Sequence, residues 1–93
     1  MIFMSVMQRF TAAEVALLAP DIGGVYVILA DRDGHFSCLF VGGGNVRDEL
    51  ERCLSADEPC IQKMGATHFQ YARSTNVATD AQSLRVDMRP LCP

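Results

Sequence analysis

Six consecutive apolar residues, Val25 to Ala30, stand between Gly23-Gly24 and the turn sequence Asp31-Arg32-Asp33-Gly34. The run holds three β-branched side chains and is apolar on both pleat faces, so it reads as a central strand covered from both sides. A second run, His35 to Val41, follows at once, with Phe36, Cys38 and Phe40 set against Leu39 and Val41. A connection this short joins strands of opposite direction. The remaining sequence has to supply the helices that flank this hairpin.

The flanking segments carry the matching signals. Thr11-Ala12-Ala13-Glu14 has the form of a capping box, and Val15, Leu18 and Ala19 follow at helical spacing before Pro20. Gly42-Gly43-Gly44 is expected to end the second strand. Asn45, with Asp48 three residues on, opens a helix whose apolar positions are Val46, Leu50, Cys53 and Leu54, with Asp48 paired to Arg52 on its wet side. A short helix is expected from Pro59 to Met64, stopped by Gly65. Thr67, Phe69, Tyr71 and Arg73 alternate with His68, Gln70 and Ala72 as a third strand buried on one face. Ser74 to Ala78 reads as loop. Thr79-Asp80-Ala81-Gln82 reads as a second capping box, leading a helix with Ala81, Leu84 and Met88 on one face before Pro90. The 93 residues therefore predict one α/β (α+β) domain: a three-stranded, mostly antiparallel sheet flanked by helices. Residues 1–22 form an N-terminal segment with a short helix, and residues 23–93 the body of the domain.

Charge limits the partners. The net charge is −3, and residues 1–62 hold four arginines against nine carboxylates, whereas the segment from Lys63 onward carries Lys63, Arg73, Arg85 and Arg89 against Asp80 and Asp87. A polyanion such as DNA would be drawn weakly, and through the C-terminal third. A protein partner could instead meet the acidic helix or an apolar patch at Met1 to Met7. No stretch reaches membrane-spanning length and no signal peptide is evident, so a soluble, cytoplasmic protein is expected. Cys38, Cys53, Cys60 and Cys92 form no CxxC pair and no zinc-ligand spacing; reduced core thiols are expected, with Cys53 facing Cys60 as the alternative.

Gly24-Val25-Tyr26 and Phe40-Val41-Gly42 sit on the two hairpin strands, Asn45-Val46 and Leu50 open the following helix, and Arg89-Pro90-Leu91-Cys92 stands near the C-terminus. In this order, from about Gly23 onward, the chain resembles the GIY-YIG endonuclease superfamily. The resemblance implies metal-assisted phosphodiester hydrolysis: a tyrosine helps deprotonate water, a helix arginine stabilises the phosphate, and a glutamate on the last helix holds one divalent cation such as magnesium. Tyr26 holds the first tyrosine position. Phe40 replaces the second tyrosine, Glu49 falls on the arginine position, Cys53 on a histidine position and Ala81 on the glutamate position. The terminal signature ends in Pro93 rather than asparagine. The expectation is a nuclease-like domain with an impaired site and no resident cofactor, acting in binding to nucleic acid or protein. Gly42 and Asn45 at the helix start, Arg47 beside them, and Arg73 in the basic third are the candidate contacts. The rival readings are an active, metal-dependent DNA endonuclease in which Tyr26, Asp80 or Gln82, and Arg47 converge, and a structural protein-interaction module.

Overall fold

The turn after the first apolar run is built as its residues dictate. Asp33 (φ 55°) and Gly34 (φ 87°) occupy the left-handed region that a two-residue hairpin turn demands, and the Asp31 carboxylate accepts from the Gly34 amide at 3.0 Å. The turn joins β2 (Gly23–Arg32) to β3 (His35–Asn45), paired antiparallel from Arg32↔His35 to Gly23↔Asn45. These elements belong to a computed structural model that describes residues 3–55 and 58–92. Met1 and Ile2 of the N-terminal patch, Asp57 of the acidic run with Ala56 beside it, and Pro93 of the terminal signature lie outside the described residues.

The element order is β1 (Gln8–Arg9), α1 (Ala12–Leu18), β2, β3, α2 (Val46–Leu54), α3 (Pro59–Lys63), β4 (His68–Arg73) and α4 (Val77–Met88). The sheet is fully antiparallel in the order β1-β4-β2-β3, with four strands rather than three. β1 has two residues, too few for an alternation to be visible in sequence. It is prolonged by Ser5, whose amide donates to the Tyr71 carbonyl at 2.7 Å. The α+β class follows from these elements, and no helix among the described residues is long and apolar enough to cross a membrane.

The pleat of β2 divides the core. Tyr26, Ile28 and Ala30 face α1, α2 and α3, where Val15, Val46, Leu50, Cys53 and Ile61 close the larger cluster. Val25, Val27 and Leu29 face the opposite way, against Ala81, Leu84 and Met88 of α4. A bulge between Ile28 and Leu29 of β2 breaks the alternation of β3: Leu39 joins Phe40 in the larger cluster, and Cys38 joins Val41 on the α4 side. The expected grouping of Cys38 with Phe40 is corrected accordingly.

Four further expectations are corrected. The glycine run does not end β3, because Gly42, Gly43 and Gly44 pair with Tyr26, Val25 and Gly24. The last helix begins at Val77, with Asn76 at the N-cap position but making no side-chain capping bond, so Thr79-Asp80-Ala81-Gln82 lies inside it and Asp80 instead accepts the Ser74 hydroxyl at 2.5 Å. Arg52 pairs with Glu49 and Glu58 rather than Asp48. Cys60 and Cys92 are not reduced core thiols but a disulfide, joined because the segment after α4 returns along β3 to α3; Cys53 is not bonded to Cys60 and stays free and buried.

Candidate functional site

Tyr26 sits in the middle of β2, so its ring must lie over the neighbouring strand. It does so across Gly42, its register partner, where any β-carbon would overlap the phenol oxygen. The glycine of Phe40-Val41-Gly42 and the tyrosine of Gly24-Val25-Tyr26 are thus one packing unit. The ring is wholly buried and lies 6.1 Å from that of Phe40. A buried phenol needs a hydrogen-bond partner, and Tyr26 donates to Glu49 Oε1 at 3.0 Å, with Cys53 Sγ 3.7 Å away. Burial, then the neighbouring Cys53 and Glu49, push the phenol pKa far above its ordinary value.

Glu49 reaches Tyr26 because α2 starts where β3 ends. The Asn45 side chain caps the helix by accepting from the Asp48 amide at 3.0 Å and donates to Asp21 at 2.6 Å. Gly44, at φ 140°, passes beneath Glu49, where a β-carbon would come within 3.2 Å of its Cγ. One turn on, Arg52 Nη2 meets Glu49 Oε1 at 3.2 Å and its other nitrogen pairs with Glu58. The cluster of two carboxylates and one guanidinium is therefore net negative. A guanidinium does stand beside Tyr26, contributed by Arg52 rather than position 49, and it is already neutralised. Helix spacing could have found it, since Glu49 and Arg52 are i,i+3 neighbours just as Asp48 and Arg52 are i,i+4.

The remaining candidates are dispersed. Ala81 is buried on the far side of the sheet among Val25 and Ala72, with Gly43 beneath it. Tyr26, Phe40, Glu49 and Cys53 share one face and Ala81 the other, so a carboxylate at position 81 would be separated from Tyr26 by the sheet itself. Arg47 donates through Nε to the Ala19 carbonyl at 2.8 Å and serves the α1–β2 connection. Asp80 is held by Ser74, and Gln82 is exposed. Arg73 is exposed at the end of β4, opposite Gly24. The rewired constellation of Tyr26, Asp80 or Gln82, and Arg47 is not assembled.

The implied divalent cation does not fit these residues. Position 81 offers no oxygen, and among the described residues no three His, Cys, Asp or Glu side chains gather as a metal-holding group. What the arrangement can do is keep a buried phenol protonated and hydrogen-bonded to a part-exposed carboxylate. A tyrosine that keeps its proton in this way cannot take one from water. No protein-family model, curated protein or solved structure matches the chain.

Proposed function

We propose that the chain is a GIY-YIG endonuclease-like domain whose catalytic set has been rebuilt as packing, and that it acts by binding rather than by phosphodiester hydrolysis. The observation that carries this reading is the Tyr26–Glu49 hydrogen bond at 3.0 Å: the position that the resemblance assigns to a phosphate-stabilising arginine holds a carboxylate that accepts the tyrosine's hydrogen bond. The order of hairpin, helix, strand and helix supports the nuclease-like part of the reading. The partner is better sought among proteins than nucleic acids. Asp48, Glu49 and Glu51 lie on the helix that would approach phosphate, whereas Phe3 and Val6 are 84% and 73% exposed beside the β1 edge.

The test is plasmid nicking in magnesium or manganese, with Tyr26→Phe alongside, and fluorescence anisotropy on short single- and double-stranded DNA. Background nicking and weak, salt-sensitive DNA binding are expected. Metal-dependent nicking that disappears in Tyr26→Phe would overturn the reading, as would submicromolar DNA affinity at physiological salt.

A further inference from the structure

The two ends of the chain close the two edges of the sheet, by different means. On the β4 side the N-terminal segment is held by hydrogen bonds, with Ser5 meeting Tyr71 and Gln70 and Gln8–Arg9 pairing with His68–Phe69. On the β3 side α4 ends at Met88, and the left-handed backbone of its C-cap Arg89 (φ 49°) turns the chain back across the hairpin. Leu91 then donates to the Cys38 carbonyl at 3.1 Å and Cys92 to the Leu39 carbonyl at 2.6 Å, at the β-bulge. There Cys92 is covalently joined to Cys60 of α3, across a separation of 32 residues.

We propose that the Cys60–Cys92 disulfide is a redox latch. While oxidised, it holds segment 89–92 across the β3 edge. A dithiol that reduces it releases the segment and opens the edge at Cys38 and Leu39, leaving the sheet and its two helical layers folded.

The strap has few other ties. Arg89 is exposed, Pro90 half-buried and Leu91 55% exposed, so Cys92 is its one buried side chain. Without the bond, the Arg89 amide's bond to the Arg85 carbonyl, two backbone hydrogen bonds to β3 and that small side chain must hold four residues against their chain entropy. α3 keeps independent anchors when the bond opens: Ile61 is buried in the large cluster, and the Gln62 side chain donates through Nε2 to the Cys53 and Leu54 carbonyls at 3.1 and 3.3 Å. The strap gives Cys92 to the large cluster, whose other members are built around β2, between β3 and β4 and covered on both faces.

Access sets the direction of the exchange. Cys60 is half-buried and Cys92 buried, so the incoming thiolate of a dithiol attacks Cys60 Sγ, the Sγ–Sγ bond breaks, and Cys92 leaves as a thiolate that takes a proton from solvent. The second thiol of the reagent then attacks the mixed disulfide and frees Cys60 as a thiol. Two electrons pass to the protein and the dithiol closes to a cyclic disulfide. The resident thiols do not compete: burial pushes the pKa of both Cys38 and Cys53 up, keeping them protonated.

The experiment is backbone amide exchange by NMR on the whole chain, oxidised and after dithiothreitol, with bond state read by mass after alkylation. On reduction the Leu91 and Cys92 amides are expected to exchange on the order of 100-fold faster while those of Val25–Ala30 keep their protection. Reoxidation with oxidised glutathione should restore slow exchange, and Cys60→Ser should reproduce the reduced pattern. Unchanged protection of Leu91 and Cys92 once the bond is broken would overturn the latch. So would loss of protection throughout β2, which would make the bond a staple of the whole fold, or a bond that resists millimolar reduced glutathione, or four free thiols in the oxidised protein.

Discussion

The two faces of the sheet are packed on different plans. Toward α1, α2 and α3 the strands present Tyr26, Ile28, Leu39 and Phe69, large side chains that fill a deep core and carry one polar group into it. Toward the first turns of α4 they present Val25, Ala72 and the bare backbone of Gly43, so the helix rides close on Val77 and Ala81. The glycine run serves both plans by alternation: Gly42 makes room for a phenol on one face and Gly43 for a helix on the other. One face can house a polar cluster, while the other has no space for one. A catalytic set spread over Tyr26 and position 81 would need both.

Placing a carboxylate on the close-packed face should break the comparison most severely. Ala81→Glu buries a charge beneath the sheet with no partner, and a loss of about 3–5 kcal/mol is expected in urea denaturation. Glu49→Arg, on a part-exposed carboxylate of the other face, should cost roughly 1–2 kcal/mol by depriving Tyr26 of its acceptor. If Ala81→Glu were tolerated as well as Glu49→Arg, α4 would not be pressed on the sheet, and a metal-holding carboxylate there would again be feasible.

The glycines give a finer comparison, because one methyl group is added to each face. Gly42→Ala would drive a β-carbon into a ring that is wholly buried and cannot move aside, so about 2–4 kcal/mol is expected. Gly43→Ala meets the Val77 Cγ1 atom, the tip of a half-buried side chain at the start of α4, and should cost about 1 kcal/mol. Equal losses in thermal denaturation would show that the two faces are equally rigid.

Much of this layout was legible in the chain. The hairpin, the Asn45 cap, the proline start of α3 and the inward set of Ala81, Leu84 and Met88 each rest on local signals: β-branched runs, capping side chains, helical spacing. What was not legible depends on contacts distant in sequence. β1 is held by β4 some 60 residues later, and the Cys60–Cys92 bond exists because the chain doubles back after Arg89. The bulge at Leu39 is a register event between two strands, invisible in the alternation of either one. At the candidate site, the resemblance singled out Tyr26 and Glu49 as positions to inspect. Their hydrogen bond was not legible, because Glu49 counted as one more charge on a solvated helix face until α2 was placed over β2.

The smallest effect at neutral pH, and the one that isolates the polar cluster, belongs to Tyr26→Phe. The variant keeps the ring and removes a single hydrogen bond, and Glu49 keeps Arg52 and access to water, so a loss of about 1 kcal/mol is expected. Alkali should invert the order. The folded phenol holds its proton well beyond tyrosine's ordinary range because it is buried, with Cys53 and Glu49 adding to the effect, whereas the unfolded phenol ionises near pH 10. Above about pH 10 the folded state therefore binds more protons than the unfolded one. Stability that is fully present below that pH falls by up to ~1.4 kcal/mol per pH unit as it rises. Phenylalanine has no proton to lose, so the variant escapes this decline, and the alkaline loss from half-buried Cys38 is common to both proteins. Urea midpoints measured from pH 7 to 11.5 should show the wild type ahead at neutral pH and the two curves crossing near about pH 11. Parallel curves through that range would mean that Tyr26 ionises as freely folded as unfolded, and that its hydroxyl is open to solvent rather than held on Glu49.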